Sequence, residues 1–301
     1  LVYRPFFHPS DLFLLLDKTY EKLGGGTLAF SCMRKRAEER ARESAVKRRG
    51  GRTEDVTLEE IYEKLSEIYG LSHDETQKLM QEEKLLELRF CQPRNAAREL
   101  FDTALVNGKK IILISDMYLD HETIESILRK CGYTEYKELF LSSVTRLTKH
   151  SGNLFGHVLE RLHVQPEEIL HIGDNWHSDV ERAKESGIEV AFFPKAIDRF
   201  QGNVLTHPTN NCSSIGDLAC GPVIDHYAMK NSFGYRTALA MIANRYFDNP
   251  YREFHPESDF NIDPYFVGYY PVGMHMLGLT SWLRSRALAN GNDRVAIFAC
   301  G

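Results

Sequence analysis

Two short stretches hold the side chains best suited to chemistry. "KKIILISDMYL" (Lys109–Leu119) is an apolar, β-branched run that ends in Ser115-Asp116. "EEILHIGDNWHSD" (Glu167–Asp179) is a second such run, ending in Gly173-Asp174-Asn175, with Asp179 five residues beyond Asp174. Between them Lys149 stands in "TKHSGNLF". Continuous apolar strands belong to parallel sheets, and open α/β sheets bind ligands in the crevice at the carboxyl ends of their strands. A hydroxyl, a lysine and two carboxylates meeting at one crevice suit a phosphate and a Mg²⁺ ion.

Each residue has a role in that chemistry and a plainer alternative. Phosphoryl transfer needs charge on the phosphoryl oxygens neutralised and the group held in line. Lys149 supplies the positive charge; alone it would be a surface lysine, and its place beside the Asp174 cluster singles it out. Ser115 would donate a hydrogen bond to a phosphoryl oxygen, or merely begin a turn. Asp174 reads as the metal ligand, since Mg²⁺ takes one or two carboxylates together with phosphate and water. Asp179 is a second ligand or a carboxylate that orients another group. It is equally suited to the first turn of a helix, with Ser178 and Glu181 as a capping box. Asp116 contacts substrate or only shapes its loop, with Asp120 capping the next helix. Asn175 falls with the substrate-binding residues, and His177 reads as a loop residue.

The elements that must position these groups change character along the chain. Residues 1–104 show helical periodicity and no alternating strand pattern. Ser10 can cap a helix over Asp11–Leu23. Thr57 with Glu60 makes a capping box for Leu58–Tyr69, ended by Gly70. Ser72 with Glu75 makes another for a helix to about Phe90, and Pro93 blocks its continuation. Asn95–Val106 then leads to the first strand. From residue 105 to 196 strands and helices alternate: strands over Lys110–Ser115, Leu139–Ser143, Ile169–Gly173 and Ile188–Phe193, helices over about His121–Cys131, Gly152–Leu162 and Asp179–Ser186. Repeated βα units imply a doubly wound, parallel α/β sheet. In residues 197–301, Asp198–Pro222 reads as linker or long loops, Tyr235–Tyr246 and Val272–Ala289 as helices, and Arg294–Ala299 as a strand.

Three segments resemble the haloacid dehalogenase superfamily of phosphotransferases. They are "SDMYL" at Ser115–Leu119, "K-x-x-G-N-L-F" at Lys149–Phe155 and "HIGDN-x-x-SD" at His171–Asp179. Order and spacing fit over about Leu105–Lys195, and the helical region before it fits an inserted cap. The resemblance is closest to bacterial members found beside or fused to glycosyltransferases. It implies a Rossmann-like core, a helical cap and a Mg²⁺-dependent phosphohydrolase that forms an aspartyl-phosphate. It also implies a small phosphorylated substrate and a glycosyltransferase partner or fusion. The family's nucleophilic aspartate, in D-x-D-T or D-x-F-D-T, is absent. In the relatives that motif lies just ahead of "L-R-P-F", and this chain opens with "LVYRPF" (Leu1–Phe6). The resemblance therefore implies a chain entered just after its nucleophile and inactive as it stands, and a second α/β module interrupted at its far end. It further implies a vacant strand position between Lys110–Ser115 and Ile169–Gly173, with Leu1 emerging near Asp174. The relatives' "R-x-x-E-x-A-R" helix reads here "RKRAEERAR" (Arg34–Arg42), from which Arg36 or Arg40 could reach an anionic substrate; the alternative is a solvated helix face.

Composition excludes several other classes. A net charge of −5 over 301 residues offers no general attraction to nucleic acid or an anionic membrane. No apolar run approaches the roughly 18 residues of a membrane span. Six scattered cysteines form no C-x-x-C pair and read as reduced, cytoplasmic thiols. A dinucleotide-binding oxidoreductase needs G-x-G-x-x-G after a strand, which is not present. A non-catalytic module attached to a glycosyltransferase is the rival to the hydrolase.

Overall fold

Capping chemistry sets the helices of the N-terminal third. Residues 1–48, 54–202, 233–252 and 259–291 are described by the computed structural model. Thr57 accepts from the Glu60 amide at 3.3 Å while Glu60 accepts from the Thr57 amide at 2.9 Å, so two orphan donors are satisfied at the start of α3 (Leu58–Tyr69). Gly70 ends that helix at φ 70°, a left-handed conformation that strains any residue bearing a Cβ. Ser72 and Glu75 repeat the device at α4 (His73–Phe90). At the first helix the structure differs from expectation. Ser10 lies inside a 3-10 turn (Pro9–Leu12), and α1 runs Phe13–Lys22. The helix α2 (Phe30–Arg48) buries Phe30, Met33, Ala37 and Ala41 along one stripe, against Ile61, Tyr62 and Leu65 of α3. With α5 (Asn95–Val106) these helices make up the region, whose strands are the two-residue pieces β1 (Val2–Tyr3) and β2 (Gln92–Pro93), paired antiparallel.

That helical region shares one continuous core with the α/β unit. Leu113 of β3 (Ile112–Ser115), Leu119, and Ile127 and Leu128 of α6 (His121–Lys130) belong to the same buried cluster as Leu16, Leu65 and Leu79. Two ion pairs hold the helical region together, one fully buried and one partly so. Arg34, with no exposed surface, is bidentate to Glu83 at 2.8 and 2.9 Å, and Arg4 is bidentate to Glu87 at 2.6 and 2.8 Å.

The α/β unit consists of two parallel pairs. β3 pairs with β4 (Glu138–Leu141), Ser115 standing opposite Leu141. β5 (Leu170–Gly173) pairs with β6 (Glu189–Phe192), Gly173 opposite Phe192. The chain turns helical at Ser142 in α7 (Ser142–Thr145), so β4 stops two residues short of the expected end. Among the described residues β3 and β5 are not joined by a ladder. One helix spans both pairs. On α8 (Asn153–Leu162), Leu154 and Val158 pack with Phe140, Ile112 and Ile114, while Phe155 packs with Ile188, Ile169 and Val190. Ile114 belongs to both groups.

Beyond β6, residues expected to begin a linker continue as α10 (Ala196–Gly202), after the short α9 (Arg182–Glu185). Ala196 and Phe200 bury against Leu239, Ile242 and Ala243 of α11 (Phe233–Tyr246), Phe266 of α12 (Pro264–Val267), and Phe7. Asp248 clasps Arg94 at 2.7 Å and the Ala96 amide at 2.8 Å, tying this segment to the start of α5. The last helix, α13 (Gly273–Ala289), leaves Met276, Leu277 and Trp282 exposed. The strand expected over Arg294–Ala299 lies outside the described residues. No helix among the described residues is long and apolar enough to cross a membrane.

Candidate active site

The strand ends bring Lys149, Asp116, Asp174 and Asp179 to one region, but with a division of labour that the residue types alone did not reveal. Lys149 Nζ lies 2.5 Å from Asp179 Oδ1. Asp179 Oδ1 also meets His171 Nε2 at 3.0 Å, and its Oδ2 accepts from the Asn175 amide at 2.9 Å. The Asp179 side chain is 2% exposed. Burial alone would raise its pKa; the bonds from His171, Lys149 and the Asn175 amide outweigh that and hold it well below the usual carboxylate range. Asp179, expected as a second metal ligand or an orienting carboxylate, therefore stands as the anchor of Lys149.

Gly173 is what lets Asp179 take that place. A Cβ on residue 173 would lie 2.3 Å from Asp179 Cγ and 2.5 Å from its Cβ and Oδ2. The turn that follows is widened: Trp176–Glu181 has π-helical hydrogen bonding, an arrangement often found at functional sites. Its cap is the Asn175 side chain, which accepts from the Ser178 amide at 2.9 Å. Asn175, grouped with substrate binding in the sequence, thus spends its oxygen on the turn. The Ser178–Glu181 capping box does not form, because Glu181 turns to His177 at 2.9 Å and Trp176 at 3.2 Å.

Asp116 shapes the lysine loop. Its carboxylate accepts from the Lys149 amide at 2.8 and 3.1 Å and the His150 amide at 3.2 Å. Burial pushes its pKa up, partly offset by those amides and the Lys149 charge. These bonds make it a loop-holder, the alternative to the substrate contact expected of it. Ser115 ends β3 half-buried, and its hydroxyl has no hydrogen-bond partner among the described residues. Asp174 is the open carboxylate: its side chain is 39% exposed, with Lys195 Nζ 4.0 Å away. The Leu1 carbonyl accepts from the Arg94 amide and the Tyr133 hydroxyl, each at 2.9 Å. Arg36 is exposed on α2, outside this group; Arg34, two residues earlier, is the buried one.

The donor set can be tested against Mg²⁺. Asp174 offers a free oxygen ligand, Asp179 is engaged by Lys149 and His171, and among the described residues no cluster of three His, Cys, Asp or Glu side chains forms an all-protein metal cage. The residues present fit a Mg²⁺ ion held through Asp174, phosphate and water, with any second carboxylate coming from elsewhere.

Several contributors had weak signals in the sequence. Period-2 alternation places His171 on the same side of β5 as Gly173, but nothing in the sequence places Asp179 on that side. Glu54 and Asp55, which grip the 142–153 segment, precede a helix in a stretch with no periodicity and gave no signal. With this geometry in place the family is clear. The chain belongs to the haloacid dehalogenase-like hydrolases: the family model matches residues 29–187. Among solved structures, L-2-haloacid dehalogenase from Xanthobacter autotrophicus, with chloropropionic acid covalently bound, is 16% identical over 73% of this chain and 82% of its own, with TM-score 0.46. YfnB of Bacillus subtilis, assigned as a HAD-hydrolase and bound to magnesium, is 18% identical over 71% of this chain and 91% of its own, with TM-score 0.44. 2-Haloacid dehalogenase from Pseudomonas syringae pv. Tomato is 14% identical over 70% and 90%, with TM-score 0.46. No curated protein matches the chain in sequence.

Proposed function

We propose that this chain is the body of a Mg²⁺-dependent phosphohydrolase acting on a small phosphorylated metabolite through an aspartyl-phosphate. The observation that supports it most is Lys149, an ammonium fixed at 2.5 Å on Asp179 beside the open carboxylate of Asp174. A fixed cation favours negative charge on phosphoryl oxygens in the transition state at little reorganisation cost. Ser115 would donate to a phosphoryl oxygen from the end of β3. Asp174 would hold Mg²⁺, which supplies further charge neutralisation and orients the phosphate. The cap helices exclude water from a small substrate. The 301 residues contain no D-x-D-T motif to supply the nucleophile. The proposal extends to a cytoplasmic setting, on the free thiols of Cys32, Cys91 and Cys131, and to a glycosyltransferase companion, on the sequence resemblance.

A second reading, a non-catalytic module beside a glycosyltransferase, is favoured by one observation: Asp179 is consumed by Lys149 and His171, which leaves Asp174 as the open carboxylate of the pair. The two readings separate on turnover. Residues 1–301, and the protein in the full length its gene encodes, are assayed against a panel of small phosphate esters with and without Mg²⁺. Hydrolysis by the protein as its gene encodes it, lost about a hundredfold or more in Asp174→Asn, supports the hydrolase, since a Lewis-acid metal contributes several kcal/mol. No Mg²⁺-dependent hydrolysis, or hydrolysis indifferent to Asp174→Asn, overturns it.

A further inference from the structure

In the segment between α2 and α3, the half-buried Glu54 and the buried Asp55 turn their carboxylates onto the α/β unit. Glu54 Oε2 accepts from the Thr148 amide at 2.8 Å, the Thr148 hydroxyl at 3.2 Å and the Ser151 hydroxyl at 2.5 Å. Glu54 Oε1 accepts from the Asn153 amide group. The Glu54 amide in turn donates to the Arg146 carbonyl at 2.9 Å. Thr148 immediately precedes Lys149, and Asn153 is the first residue of α8. One carboxylate from the helical region therefore spans the whole lysine loop.

Asp55 reinforces the contact at the neighbouring loop. It pairs with Arg42 and accepts from the Ser142 hydroxyl, and that hydroxyl accepts from the Met117 amide at 2.8 Å. Arg146 donates to the Asp55 carbonyl at 3.1 Å and to Glu60 at 2.6 Å. Arg146 itself sits at φ 63°, a left-handed conformation that a non-glycine residue keeps only when its surroundings impose it.

We propose that Glu54 is the positioning residue of the Lys149 loop, so that seating of the helical cap and placement of the Lys149 ammonium are a single event. This rests on Lys149 being the phosphate-facing cation of the proposed site. The chemistry of the partners supports it. A carboxylate is acceptor-only and can satisfy several donors at once, and here the four donors bracket Lys149 on both sides. Asp116 holds the same loop from the β3 side, through the Lys149 and His150 amides. The loop is thus held between a carboxylate of the core and a carboxylate of the cap. Removing the Glu54 side chain takes away one of the two and leaves the buried Thr148 amide and hydroxyl without that acceptor. Burial works to raise the Glu54 carboxyl, yet the bonds from Ser151, Asn153 and Thr148 hold it below the usual range, as a carboxylate that is fully used should behave.

The test reads Lys149 directly, without turnover. Residues 1–301 are trace-acylated under competition, and the labelling rate of each lysine is measured by mass spectrometry. In Glu54→Ala, Lys149 is expected to label about fivefold faster or more, as its loop opens locally. Lys130, whose Nζ donates to the carbonyls of Leu88, Arg89 and Cys91 at 2.7–2.9 Å, is the control and is expected to stay unchanged. Unchanged labelling at Lys149, or a rise at Lys130 in step with it, overturns the proposal; the second result means the fold has loosened as a whole. Glu54→Gln keeps the volume and one acceptor oxygen. It serves if the alanine variant does not fold, and is held to the same two criteria. A protein without phosphatase activity would strike the proposed function and leave this readout standing, whereas unmoved labelling in an active protein would strike this proposal alone.

Discussion

Replacing Arg34 by methionine is a demanding test of how the helical region is held. The guanidinium has no exposed surface, pairs with Glu83 at 2.8 and 2.9 Å, and lies 4.7 Å from the Phe13 ring centre and 4.8 Å from that of Tyr118. Methionine recovers most of the packing, and a thioether over aromatic rings offers about 0.3–1.5 kcal/mol each, close to the cation–π contribution it replaces. What is not recovered is the charge balance. Glu83, also without exposed surface, would keep only the Tyr62 hydroxyl at 2.8 Å. Removing one partner of such a pair costs about 3–5 kcal/mol, because the other is left as an uncompensated buried charge. That is a large share of a total stability of roughly 5–15 kcal/mol. With a urea m-value of about 2–3 kcal/mol/M, the midpoint falls by roughly 1–2.5 M. Arg34→Met combined with Glu83→Gln keeps an acceptor for Tyr62 and removes both charges, so the double variant is expected to be more stable than Arg34→Met alone. Urea melts of the four proteins measure the cycle. A single-variant cost below about 1 kcal/mol, or strictly additive effects, would refute the reasoning.

Two further outcomes follow from the site. Gly173→Ala should displace the Asp179 carboxylate, because the new methyl would stand 2.3–2.5 Å from it; a crystal structure of that variant with Lys149 still on Asp179 would count against the stated role of Gly173. The Asp179 carboxyl has its folded-state pKa depressed below its unfolded value of about 3.9, so its contribution is fully present above that value and is lost as pH falls through and below it. Asp179→Asn should therefore show a shallower loss of stability below about pH 4 than the parent, and identical acid limbs in thermal melts would contradict the assignment.

Much of the architecture was legible because it rests on local rules. Thr57 with Glu60, Ser72 with Glu75, and Gly70 each mark a boundary by a mechanism confined to a few residues. The apolar runs ending at Ser115 and Gly173 read as parallel strands from their continuous apolar composition, although Leu170 and Ile172 on one face of β5 remain exposed. Asp174 and Lys149 were picked out by clustering with motif residues. The division of labour among the carboxylates was not legible, since an aspartate has the same letter whether it binds a metal or holds an amide. Asp116 and Asp179 show this: which groups surround them depends on how the 149–151 loop and the widened turn fold back. Glu54 and Asp55 depend on contacts with residues about 90 positions away, which no local pattern encodes. Ser10 failed as a cap because Pro9 and the Asp11–His8 contact draw the chain into a 3-10 turn first.

The helix α8 has a consequence for the order in which the chain acquires its structure. β3 and β4 lie some 25 residues apart in sequence, β5 and β6 about 20, and neither parallel pair carries more than four rungs. Each pair closes a loop whose entropy its few hydrogen bonds repay poorly. Leu154, Val158 and Phe155, on a single turn-forming segment between β4 and β5, touch both pairs and supply the apolar contact that each lacks. The expected slow step in folding is then the docking of α8, with the strands registering around it. Truncating Phe155 to leucine should slow refolding nearly in proportion to the stability lost, a φ-value approaching one, while an equal truncation at Phe200 should speed unfolding instead. Stopped-flow chevrons of the two variants distinguish that sequence of events from one in which the strands pair first.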